Sequence, residues 1–157
     1  MTVEQDGRHG FDFFRGDWRN QNRKLKARLV GSTEWEAFEA VGSCRPMLGG
    51  MANVDDMRLI DGSDFEGMSI RIFDPETHLW SIWWADNRIY TITPPVQGRF
   101  VDGVGIFRGT DQHDGQPIDV RFIWSGITPT SAKWEQAFSI DNGETWETNW
   151  EMFFTRI

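Results

Sequence analysis

The sequence predicts an all-β domain of about ten short antiparallel strands, closed as a barrel or stacked as a sandwich. Three observations carry this reading. Short runs of alternating character recur at regular spacing, turn residues separate them, and no helical period extends beyond two turns. To these three is added the aromatic content: nine Trp and twelve Phe among 157 residues, bulky side chains that suit a pleated, half-buried surface.

Taken in order, residues 1–10 (MTVEQDGRHG) form a polar leader, and 11–157 the barrel-type domain. Phe11-Asp12-Phe13-Phe14 reads as a helical or 3₁₀ turn able to plug one end of a barrel. The expected strands are 18–30, 34–44, 54–60, 65–73, 79–85, 88–93, 99–108, 118–126, 132–140 and 145–155. The turns between them fall at Leu48-Gly49-Gly50, Asp61-Gly62-Ser63, Asp74-Pro75-Glu76-Thr77, Thr93-Pro94-Pro95, His113-Asp114-Gly115 and Thr128-Pro129. Gly103-Val104-Gly105 is not followed by a helix, so it is read as a site of strand curvature and not as a phosphate loop.

The last hairpin is the most informative element, because Asn142-Gly143 lies between alternating apolar runs. A two-residue turn there would pair Phe138 with Glu147 and mix charge with aromatics on both faces. A three-residue loop, Asp141 to Gly143 with a G1 bulge, sorts the faces instead. Trp134, Gln136, Phe138 and Ile140 then lie with Trp146, Thr148, Trp150, Met152 and Phe154, and Gln136 stands directly opposite Thr148. A one-residue slip inverts every side chain, so the sorted register is the expected one.

Other strands show the same parity. Ile118, Val120, Phe122 and Trp124 share a face against Asp119, Arg121 and Ser125, and Met68, Ile70 and Ile72 oppose Ser69 and Arg71. Residues 79–85 differ: Trp80, Ile82 and Trp84 occupy one face, Leu79, Trp83 and Ala85 the other. A strand apolar on both faces is covered on both, by the Phe11–Phe14 segment or by a second subunit. A homodimer through the Trp83 face is therefore expected.

The formal charge of −8 argues against nucleic acid, whose phosphates call for clustered Lys and Arg. The one basic stretch, Arg19 to Arg28 with Arg23, Lys24 and Lys26 inside it, reads as an edge strand guarded by positive charge. Cys44 is the only cysteine, which excludes an intrachain disulfide and a cysteine-based metal cluster. The polar start has no signal-peptide pattern, and no run is long enough to cross a membrane. A cytoplasmic protein without a membrane partner is expected.

Gly16-Asp17-Trp18 at the entry to the first strand and Arg156 at the end of the last carry a resemblance to the calycin superfamily, the lipocalin-like barrels. These have Gly-x-Trp on strand one and a late Arg stacked over that Trp, an arrangement that gains cation–π attraction and satisfies nearby carbonyls. The chain also resembles small bacterial lipocalin-like proteins of uncharacterised function. It shares their Phe-x-Phe-x-x-Gly-x-Trp start (Phe11 to Trp18), a Leu-Gly-Gly turn and an Asp-x-Gly-x-x-Trp hairpin (Asp141 to Trp146). The resemblance implies a single up-and-down barrel, with Gly16, Trp18 and Arg156 closing one end.

A barrel wall of Trp84, Phe122, Trp124, Trp134, Phe138 and Trp150, punctuated by Gln136 and Thr148, has the character of a small-molecule pocket: apolar walls with a few polar groups that fix orientation. Binding of a small apolar or aromatic ligand is the expected function. The alternatives are an isomerase or cyclase using Glu39 as proton shuttle, if Glu39 shares the inner face with Trp35, Ala37 and Val41, or an interaction module acting through Trp83. The opposite parity leaves Glu39 in water and puts Phe38 and Ala40 inside. No cofactor or metal site is expected. His9, His78 and His113 fall in the leader or in turns, poorly placed as haem ligands, and Asp55-Asp56 and Asp111–Asp114 lack zinc spacing.

Overall fold

The computed structural model describes residues 6–157; the first half of the polar leader, residues 1–5, lies outside them. A 3₁₀ turn at Asp12–Phe14 precedes ten strands: β1 (Gly16–Leu25), β2 (Trp35–Met47), β3 (Ala52–Leu59), β4 (Glu66–Asp74), β5 (Leu79–Asp86), β6 (Val96–Val101), β7 (Val104–His113), β8 (Gln116–Ser125), β9 (Ser131–Ser139) and β10 (Glu147–Arg156). Each strand pairs antiparallel with its sequence neighbours, and β1 pairs with β10, so the sheet closes as an up-and-down barrel. Closure removes every edge. The start of β1, the end of β10 and the Asp12–Phe14 turn meet at one end, the floor. The turns after β1, β3, β5, β7 and β9 gather at the other, the mouth.

The strand count matches the expectation, but three expected strands differ: that expected over 18–30 ends at Leu25, with a bend following it, and two others change as follows. Residues 88–93 form no strand; they loop over the mouth with one isolated bridge, Ala85 to Ile92. Residues 99–108, expected as one strand, are the hairpin of β6 and β7. Val101 pairs with Val104 across Asp102-Gly103, whose φ angles are 51° and 78°. Two successive positive φ values define a type I′ turn, which Asp-Gly favours and whose twist matches that of the strands. Of the two glycines read as curvature, Gly103 is therefore part of a turn, and Gly105 lies within β7 opposite Phe100. Asp114-Gly115 makes the same turn between β7 and β8.

The Asn142-Gly143 hairpin does not take the sorted three-residue register; next to the loop it pairs as a two-residue turn would. Phe138 pairs with Glu147, and a bulge at Asn149 then shifts the ladder so that Trp150 pairs with Gln136 and Met152 with Trp134. The wide loop is held by side chains. Asp141 accepts from the backbone N–H of Thr145 (2.9 Å) and from the Ser139 hydroxyl (2.7 Å), and Ser139 Oγ accepts from the N–H of Gly143 (2.8 Å). The bulge reconciles the two faces: Trp150 and Met152 turn inward, while Trp146 lies over the Arg121 guanidinium at 4.5 Å. Thr148 sits opposite Ala137, not Gln136.

Strand β4 shows how pairing overrides composition. Its apolar residues Met68 and Ile72 are both 39% exposed, whereas Ser69 and Arg71 are buried. The cause is register. Phe73, Arg71 and Ser69 lie opposite Trp80, Ile82 and Trp84, and directly paired residues share a face. Burying the larger face of β5 turns the polar residues of β4 inward. Met68 and Ile70, with Trp83 and Ala85 opposite them, form an apolar outer face that the Phe11–Phe14 segment does not cover.

The basic stretch likewise is no edge strand, since β1 lies between β10 and β2. Arg23 points outward to Glu151 at 3.2 Å, and Lys24 points inward. On β2 the inner residues are Phe38, Ala40 and Gly42. Glu39 is on the outside with Arg19 at 3.4 Å, so it cannot serve a reaction in the interior.

Candidate functional site

The floor is built from the chain's two ends. Phe11 is 2% exposed and meets Trp80 and Phe100 edge-on, with centroids 5.1 and 4.9 Å away. Phe14 stacks on Trp18 at 5.6 Å and packs against Trp124 at 4.9 Å. The Trp18 indole donates to the carbonyl of Phe14 (2.8 Å). The Arg156 guanidinium lies 4.2 Å over Trp18 and donates to the carbonyls of Phe13, Arg15 and Pro129. Gly16 adopts φ 104°, and a Cβ there would come within 2.9 Å of Arg156 Nη1. Gly16, Trp18 and Arg156 thus tie strand one, strand ten and the 3₁₀ turn into one lid.

Above this floor the interior keeps a cavity of about 220 Å³. Its aromatic wall contains Trp84, Phe122, Trp124, Trp134, Phe138 and Trp150. Trp150 meets Trp134 and Trp84 edge-on at 5.5 and 5.9 Å, and Trp134 meets Phe122 at 5.0 Å. Quadrupole-matched contacts of this kind hold large rings in place while leaving space between them. Gly67 faces inward beneath Trp84, where a Cβ would fall 2.2 Å from the ring. That glycine lets the indole lie back against the wall.

The polar groups differ from those expected. Gln136 lines the cavity, but its amide donates to Asn149 at 2.8 Å, and Thr148 is not part of the lining. The main polar stripe comes from β1: Asn20, Asn22 and Lys24 follow Trp18 at intervals of two on the inner face. Asn22 donates to Asn20 and accepts from the Trp150 indole at 2.9 Å. Opposite them, Arg71 is 4% exposed, donates to Asn53 at 2.9 Å and approaches Asp55 at 3.4 Å. Its guanidinium lies over Phe11, Phe14 and Trp124 at 5.1 to 5.9 Å. Among the described residues, the buried donors Arg71 Nε, Trp124 Nε1 and Asn149 Nδ2 have no hydrogen-bond partner, and buried polar groups are seldom left so. Counting by twos from Trp18 reaches the β1 stripe in the sequence. Arg71 had no comparable signal, because β4 reads as apolar on its other face.

Other reactive groups either stand apart from the cavity or are already engaged. Burial pushes the Cys44 thiol up to about 11, so it stays protonated and a poor nucleophile. None of His9, His78 and His113 lines the cavity. Asp55 and Asp56 point apart: Asp55 goes to Arg71 and the Ser69 N–H, Asp56 to Arg58 and the Ser43 N–H. Among the described residues no group of His, Cys, Asp and Glu is placed to hold a metal ion, and no helix is long and apolar enough to cross a membrane.

The architecture is that of a lipocalin-like β-barrel. The fold is similar to that of the S-type phycobiliprotein lyase CPES from Guillardia theta, with a TM-score of 0.63 and 10% identity over 100% of this chain and 98% of that one. No protein-family model and no curated protein matches the sequence. At that identity the likeness concerns the fold.

Proposed function

We propose that this barrel binds a compact, largely apolar or aromatic small molecule in its interior, as a carrier or sensor. The observation that carries the reading is the enclosed cavity of about 220 Å³ walled by indoles, with the unpartnered donors of Arg71 and Trp124 on side chains that line it. A solid core would bring those donors to acceptors, since an unmet buried donor costs about 1–3 kcal/mol. Trp84, Phe122, Trp134, Phe138 and Trp150 supply contact area, and Gln136, held by Asn149 behind it, supplies the orienting amide without Thr148. The volume lies below the roughly 300–1,000 Å³ of drug-sized sites, so the ligand is small. The fold likeness to a phycobiliprotein lyase supports small-molecule binding in the barrel and carries no activity over. The test is native mass spectrometry of protein purified from its own host, with tryptophan quenching against a panel of bicyclic aromatics. A co-purifying small molecule or a saturable response is expected; bare protein and no response across the panel would overturn the reading.

We further propose that a second copy covers the outer face of β4 and β5, where Met68, Ile70, Ile72 and Trp83 are left uncovered. Sedimentation at micromolar concentration is expected to show a dimer that Trp83→Ala dissociates; a monomeric wild type would refute it.

A further inference from the structure

The mouth of the cavity holds two cations that have no carboxylate within ion-pair distance among the described residues. Lys24 Nζ lies 4.5 Å from the centre of the Trp150 ring, and the Arg28 guanidinium lies 5.3 Å from that of Phe138. Both line the cavity, and both are poorly hydrated: burial lowers the pKa of each, and the Arg28 charge lowers that of Lys24 further. Glu36, which faces Lys24 across β1 and β2, and Asp86 favour the charged form of Lys24 at longer range, as Glu147 and Glu36 do that of Arg28. Yet among the described residues no carboxylate comes within ion-pair distance of either cation. Glu147 instead accepts from the backbone N–H of Leu29 at 2.7 Å.

The acids that line the cavity are engaged elsewhere. Asp55 is paired with Arg71, Asp56 with Arg58, Asp86 accepts from the Trp84 indole at 2.8 Å, and Asp111 accepts from the N–H of Gln112 at 2.7 Å. In a chain carrying −8, two half-buried cations with no carboxylate in ion-pair range among the described residues are an electrostatic cost that burial alone does not explain. An anion arriving from outside removes it.

Resting on the cavity reading above, we propose that the ligand is an organic acid: a compact aromatic or apolar body held among the indoles, ending in a carboxylate bound by Lys24 and Arg28 at the mouth. A guanidinium fork matches the two oxygens of a carboxylate, and charge-assisted hydrogen bonds are about twice as strong as neutral ones. The ring faces of Trp150 and Phe138 hold the two cations at the cavity's rim before the ligand enters.

Isothermal titration calorimetry with 2-naphthoic acid and its neutral isostere 2-naphthamide, at pH 7 and low salt, tests this. The acid is expected to bind at least about tenfold more tightly than the amide, and the double variant Lys24→Gln, Arg28→Gln is expected to abolish that ratio. The ratio is the readout, because a general loosening of the cavity weakens both probes alike. Amide and acid binding equally well to the wild type, or a preference that survives the double variant, overturns the acid proposal while leaving the cavity reading intact. No binding of either probe overturns both.

Discussion

The two ends of this barrel use the same residue types in opposite ways. At the floor, Arg156 spends its donors on three backbone carbonyls, and both terminal nitrogens of Arg71 meet Asn53 and Asp55, with only its Nε left over. At the mouth, Lys24 and Arg28 have only aromatic faces. A cation whose charge is met by acceptors inside the fold stabilises it. A desolvated cation without a partner weakens the fold and is retained only if something else needs it. The contrast separates structural from ligand-directed charge, and mutation can break it.

The largest effect is expected at the floor. Arg71→Met leaves Asp55 without its partner, and breaking a buried pair costs about 3–5 kcal/mol; thermal or urea unfolding should show a large loss of stability. Arg156→Met frees the carbonyls of Phe13, Arg15 and Pro129 and should cost roughly 2 kcal/mol, measured in the same way. Next comes Gly67→Ala. Its Cβ displaces the Trp84 ring into the cavity, with an overpacking cost of about 1–3 kcal/mol and weaker binding of bicyclic aromatics by calorimetry. At the mouth, Lys24→Met should leave the unfolding midpoint unchanged or raise it, because a desolvated charge is removed. If it lowers the midpoint as much as Arg71→Met does, the distinction between the two ends fails.

The smallest effect concerns the hairpin loop beside the mouth. Hydrogen bonds from Thr145 and Ser139 hold the Asp141 carboxyl at about 2, below its ordinary 3.8. A lowered carboxyl pKa contributes stability that is present above about 3.8 and lost as pH falls toward 2. Unfolding curves between pH 5 and pH 2 should therefore be flatter for Asp141→Asn than for wild type.

Some of this was legible in the chain and some was not. The closing lid was legible through the resemblance to lipocalin-like barrels that Gly16, Trp18 and Arg156 carry. The inner face of β8 could be read from the alternation of Ile118, Val120, Phe122 and Trp124. The aromatic wall followed, as did the 3₁₀ plug. The polar half of the cavity did not. Asn20, Asn22 and Lys24 share the parity of Trp18 but look like surface residues, and Ser69 and Arg71 lie on the less apolar face of β4. The Asp102-Gly103 turn has a strong local signal that the neighbouring Gly105 obscured by suggesting a single curved strand.

Local chemistry in the sequence determined that the chain forms short strands, where most of them turn, and which side of the strongest ones is apolar. Those properties depend on neighbours two to four residues away, which the sequence displays directly. The tertiary structure alone decided which face of β4 is inside, where the last hairpin shifts its register, and which cations lack partners. In a closed sheet each strand's orientation is dictated by the two beside it. The face of a weakly patterned strand is therefore set by the strongly patterned one to which it is bonded.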